Sequence, residues 1–243
     1  MADRRDETPD SGEPTGAPES QQLLPALTTE HFTLQGARSQ TMSESAARAS
    51  VYVFSVSSAL VALGFIGQIS EVGDVFNAFA LTVLPTLYLL GVVTFVRLVE
   101  CGAEDLLYGM AINRIRSYYK EVAGHRANLF LLSGHDDAAG VFANMGLATE
   151  NRSPVFAFSS AIAVINSVVG GAAVAIALGA LVDAPLGLAA GVGVVAAIVS
   201  AVALVRYALR LLDASAARAK PLFPSPSRGA ATGPQRSRDA TSD

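Results

Sequence analysis

The residues able to do chemistry are few and scattered. His31, His125 and His135 are the only histidines, and Cys101 is the only cysteine. His135 is followed by Asp136 and Asp137, and imidazole with carboxylates suits zinc if His125 folds over the same turn. The simpler reading makes Gly134, Asp136 and Asp137 a polar turn, and no metal site is assigned. No phosphate-binding glycine loop, nucleophile elbow or pair of catalytic carboxylates is present. No catalytic or cofactor-binding residue is assigned either, and the chain is not expected to be an enzyme. The single cysteine excludes an internal disulfide. Its position beside an apolar stretch makes it a packing thiol ahead of a palmitoylation site.

The elements that would position such groups are dominated by four stretches without Asp, Glu, Lys, Arg or His: 49–70, 75–96, 153–182 and 184–205. At about 1.5 Å per residue, 22 helical residues cover about 33 Å, enough for a hydrocarbon core of about 30 Å. Four transmembrane helices follow, at about 49–70, 75–96, 155–180 and 185–205. Their polar residues include Ser55, Ser58, Thr86, Asn166 and Ser200. Asn166 is the costliest to leave unpaired in lipid. It is expected to bond a neighbouring helix, with pore lining alongside Ser55, Ser58 and Thr86 as the functional alternative. Charge at membrane depth is absent, which argues against ion-coupled transport and intramembrane proteolysis.

All 17 Lys and Arg lie before the first stretch, between the second and third, or after the fourth. The other two turns carry only Glu71, Asp74 and Asp183. Basic segments resist translocation, so both termini and the middle segment are expected in the cytoplasm of a multi-pass plasma-membrane protein. The apolar run starts too far along the chain for a secretory signal.

Four of the 11 prolines sit in residues 1–26 and four in 221–243, and both segments read as disordered tails. Between them, 27–124 is the first transmembrane hairpin with a helical stalk, 125–152 a connecting segment, and 153–220 the second hairpin. A helix starting at Thr28 or Thr29 is expected to run into the first span, and the second to continue to Gly124. Phe32 and Met42 would pack against the stripe through Ile112 and Tyr119, giving a stalk of about 30–35 Å. A short helix is expected near Ala138–Met145. Pro85 frees the Leu81 carbonyl, for Thr82 or Thr86 to satisfy, and Pro185 suits the start of the fourth span.

Ser167, Gly171 and Ala175, with Gly187 and Gly191, follow the small-xxx-small spacing that lets helices approach. They are read as packing within the monomer or as a homo-oligomer interface. Arg114, Arg116, Tyr118 and Tyr119 on the stalk are the expected surface for a cytoplasmic protein partner. Nucleic acid is not expected, because the arginines of 228–238 are too sparse.

The segment TTEHFTLQGARSQTMSESAARASVYVFSVSSALVALGFIG, with the later INRIRSYY, resembles a group of uncharacterised four-span integral membrane proteins common in actinobacteria. The resemblance covers about 27–215 and implies membrane location. A weaker similarity is to the two-transmembrane effector domains of nucleotide-signalled phage defence, the SLATT group, which pair a membrane hairpin with cytoplasmic helices. The expected fold is thus all-α: two transmembrane hairpins, the first extended by cytoplasmic helices. The expected function is a non-enzymatic scaffold or interaction protein in the lipid bilayer, with an oligomeric pore-forming or membrane-disrupting effector as the alternative.

Overall fold

The computed structural model describes residues 19–68, 73–146 and 154–226. Among the described residues there are five α-helices: α1 (Glu19–Gln68), α2 (Gly73–Ala123), α3 (Ala138–Asn144), α4 (Pro154–Val182) and α5 (Leu186–Arg218). Four of them, α1, α2, α4 and α5, are long and apolar enough to cross a membrane. They pack as two pairs, α1 with α2 and α4 with α5, and α2 also packs on α4 and α5. The expected turn at Glu71, the basic residue Arg152, and the tails at 1–18 and 227–243 lie outside the described residues.

The first pair is a hairpin of two unusually long helices, 50 and 51 residues. Contacts such as Thr28–Tyr119, Arg38–Asp105 and Glu44–Arg97 pair rising numbers on α1 with falling numbers on α2, so the helices are antiparallel. The inward face of α1 repeats every seven residues through His31, Arg38, Ser45, Tyr52, Ala59 and Ile66. On α2 the buried positions Ala80, Leu87, Thr94 and Cys101, with Leu84, Gly91, Leu98, Asp105 and Ile112, do the same. A seven-residue repeat keeps one seam of each helix facing its partner over many turns. One seam thus runs through both the apolar span and the polar stalk, and only the chemistry on it changes. The opposite face of α1 carries exposed Val51, Phe54, Val61 and Phe65, as a lipid-facing helix surface does.

Two expectations for the stalk are corrected. Phe32 is 66% and Met42 44% exposed, so the stripe through them is not the buried face of the stalk. They sit one position away from a seam that takes Leu34, Arg38 and Thr41 instead. The helix also begins at Glu19 rather than Thr28, and Pro25 lies within it. The Thr28 and Thr29 hydroxyls do not cap a helix start. They donate back to the Leu24 and Pro25 carbonyls at 2.8 and 3.0 Å.

Gly124, at φ +53°, ends α2, followed by a 3-10 turn over Gly124–Leu129. α3 is capped by the Asp137 carboxylate, which accepts from the Gly140 amide at 2.8 Å. Pro185 precedes the first turn of α5, and its carbonyl accepts from the Ala189 amide. Thr82 and Thr86 donate to the Ala78 and Thr82 carbonyls, not to Leu81 as expected beside Pro85.

Candidate functional site

Within the spans, two sets of polar side chains bond one another across helices. The Tyr52 hydroxyl on α1 donates to Asn166 Oδ1 on α4 at 3.0 Å, and both residues are fully buried. Gly91 of α2 makes room for this pair: a Cβ there would overlap the Asn166 amide and come within 2.8 Å of the Tyr52 ring. A second contact joins the Tyr88 hydroxyl of α2 to Ser200 Oγ of α5 at 3.0 Å, and Ser167 Oγ lies 3.4 Å from the same oxygen. Gly170 is where the Tyr88 ring crosses α4. Hydrogen bonds of this kind tie helices that have no hydrophobic drive to associate in lipid. The sequence pointed to Asn166. It did not point to Tyr52 and Tyr88, whose rings read as apolar in an uncharged stretch.

The stripe of small residues is used at a specific crossing. A Cβ on Gly171 would lie 2.5 Å from the Gly193 carbonyl oxygen, and one on Gly193 would lie 2.6 Å from that of Gly171. Ala175 and Ala197 complete this contact between α4 and α5, and Ser167 is buried one turn away. Gly187 and Gly191 have open space around them and stand on the exposed face of α5. The buried small positions there are Ala189 and Gly193, two residues along from the expected pair.

Where α1 and α2 leave the apolar spans, Arg97 joins three carboxylates. It donates to Glu44 at 2.9 and 3.1 Å and to Glu100 and Glu104 at 3.3 Å each. Glu44 also accepts from Arg48 at 2.8 Å. The hydrogen bonds from Arg97 and then Arg48 hold its carboxyl well below the usual range, at about 2. Further along, Arg38 makes a two-pronged pair with buried Asp105 at 2.7 and 3.1 Å. Cys101 is 1% exposed between these ion pairs, and burial pushes its thiol up.

The far half of the stalk holds the densest polar structure. Ser117 Oγ donates to the Gly134 carbonyl at 2.6 Å, and Asn113 Nδ2 to the His135 carbonyl at 2.8 Å. Asn144 Nδ2 donates to Asn113 Oδ1 at 2.9 Å and to the Ser133 carbonyl at 3.0 Å. These bonds fix residues 133–137 against α2 and α3. Close approach requires glycine: a Cβ on Gly134 would run into Ser117, and one on Gly109 would come within 2.8 Å of Val141.

Asp136 is fully buried and accepts from Arg114 Nε at 2.7 Å, the Leu222 amide at 3.0 Å and the Phe223 amide at 2.7 Å. Asp137 accepts from the Ser225 amide and hydroxyl, both at 2.8 Å. Burial alone would raise both carboxyls, but these donors outweigh it and hold them below their ordinary value. Residues 221–226, expected in a disordered tail, are thus seated on the stalk. The oxygens weighed above as zinc ligands are taken by protein donors, and no group of three metal-ligating side chains occurs among the described residues.

Of the expected partner surface, Arg114 is committed to Asp136 and to the Ala219 and Lys220 carbonyls at the end of α5. Arg116 donates to Asn113 Oδ1 and to the Ser133 carbonyl. Tyr119 meets the His31 ring and Thr28 Oγ1 of α1. Tyr118 lies against Tyr119, with ring centroids 6.4 Å apart. The most exposed apolar side chains of this region are elsewhere: Leu131 at 94% and Leu129 at 80%, with Leu23, Leu24 and Val122 also exposed. No protein-family model matches the chain, and neither a curated protein nor a solved structure does.

Proposed function

We propose that this chain is a non-enzymatic membrane protein whose stalk projects into the cytoplasm and binds a protein partner. One observation carries the reading. Leu129 and Leu131 are bare at the tip of the stalk. From Arg97 to that tip α2 runs about 30–40 Å at the helical rise, too far for these side chains to reach the hydrocarbon. Exposed apolar residues gathered away from the bilayer mark an interaction surface. Orientation follows the charge rule, which keeps the basic segments inside. The polar span residues support the same reading, since Asn166, Tyr52, Tyr88 and Ser200 bond across helices.

Membrane potential during induced expression tests this reading against the pore-forming alternative. An interaction protein leaves the potential unchanged at high expression. Depolarisation that depends on the intact chain would overturn the reading in favour of a membrane-disrupting effector.

A further inference from the structure

The contacts that seat residues 221–226 do not depend on those residues belonging to the same chain. Asp136 takes two successive backbone amides, those of Leu222 and Phe223, and its own amide donates to the Phe223 carbonyl at 3.1 Å. Asp137 adds a hydrogen bond to a side chain, accepting from the Ser225 hydroxyl at 2.8 Å. Main-chain bonds that give affinity, with a side-chain contact that gives selectivity, are a recurring mode of peptide recognition. We propose that Asp136 and Asp137 form a peptide clamp, filled in cis by the C-terminal segment. In trans it takes a peptide bent at two successive residues, so that both amides face one carboxylate as those of Leu222 and Phe223 do, with serine or threonine two residues after them.

Two further observations support this. The clamp is held by groups other than its occupant: α2 bonds residues 134 and 135 through Ser117 and Asn113, and α3 bonds Asp137 through the Gly140 amide. Such preorganisation lowers the cost of binding. The occupant is lightly held by comparison. Leu222 is 66% exposed, and Lys220, where the segment leaves α5, has a φ of +42°, a left-handed conformation that non-glycine residues disfavour. The segment is therefore bound through a handful of polar contacts and joined by a strained hinge.

The proposal deepens the reading of the stalk as an interaction surface, rests on it, and supplies the chemistry of one partner segment. Its test uses the full-length protein in lipid nanodiscs and a fluorescent peptide, Lys-Pro-Leu-Phe-Pro-Ser-Pro, as probe. Leu222→Pro with Phe223→Pro removes both amides and empties the clamp in cis. This variant is expected to bind the probe at least tenfold more tightly than the unaltered protein. Asp137→Asn on that background, which leaves the Arg114 pair untouched, is expected to weaken binding about tenfold or more, as is alanine in place of the probe's serine. A double-proline variant of unchanged helicity that fails to bind overturns the clamp. So does binding indifferent to Asp137 and to the probe's hydroxyl. Crosslinking from the stalk tip is read separately: a partner captured there while the probe fails removes the clamp alone.

Discussion

Asn166 shows how a single amide organises membrane-embedded helices. Its Oδ1 is bound by Tyr52, and both face Gly91, where α2 has no side chain to obstruct them. Tyr52→Phe is expected to cost about 0.6 kcal/mol, the average for interhelical hydrogen bonds in bilayers, and at most about 1.7 kcal/mol. Gly91→Ala should cost more, about 1–3 kcal/mol, because it forces an overlap in a packed seam. Gly179→Ala, with open space around it, is the control, and reversible unfolding in mixed micelles reads all three. The stalk predicts a pH dependence as well. Burial and then Arg116 hold the His31 imidazole below its ordinary 6.5. The folded state thus favours the neutral ring. That contribution is complete above about pH 6.5 and is lost as pH falls through the lowered value. The protection of stalk amides, taken relative to the intrinsic exchange rate at each pH, should fall as pH drops below about 6.5, and His31→Gln should remove that component. Protection unchanged on acidification would contradict it. Glu44 acts in a separate window, losing its stabilisation as pH falls from 4.5 toward about 2.

At the scale of the element, the spans were legible because charge is excluded from them over lengths that fit a bilayer. The face each helix buries was less legible. α5 reads Leu-Gly-Leu-Ala-Ala-Gly-Val-Gly at its start, so small residues lie on several faces. Spacing alone cannot choose Gly193 over Gly191. The structure places Gly193 against Gly171. Gly193→Leu should therefore lower the unfolding midpoint markedly and separate α4 from α5. Gly191→Leu and Gly187→Leu should leave the monomer's midpoint within error. Equal destabilisation by all three would contradict the assigned face. In the stalk, the apolar stripe through Phe32 and Met42 misled for a related reason. Its seam carries Arg38, Thr41 and Asp105, polar groups that a search for apolar periodicity passes over.

For the whole molecule, two hairpins differ in design. α4 and α5 are tied by close backbone approach, whereas α1 and α2 keep one seam from the span to the end of the stalk. The C-terminal segment then returns to the stalk, and Arg114 bonds the carbonyls that end α5, where a cation complements the helix dipole. The seating of residues 221–226 was not legible. Proline-rich composition signals a lack of core-forming side chains, and here the contacts are made by backbone amides, which composition does not report. The same holds for Asp136 and Asp137, whose role depends on a segment more than 80 positions away.

Binding of a protein at the stalk tip is tested most directly by a photocrosslinking amino acid at Leu131 in living cells, with the same group at Val53 on the exposed face of α1 as control. A discrete protein adduct is expected from position 131, identified as a cytoplasmic protein and absent from position 53. An irradiated position 131 that yields no protein adduct, or the same adducts as position 53, would contradict it.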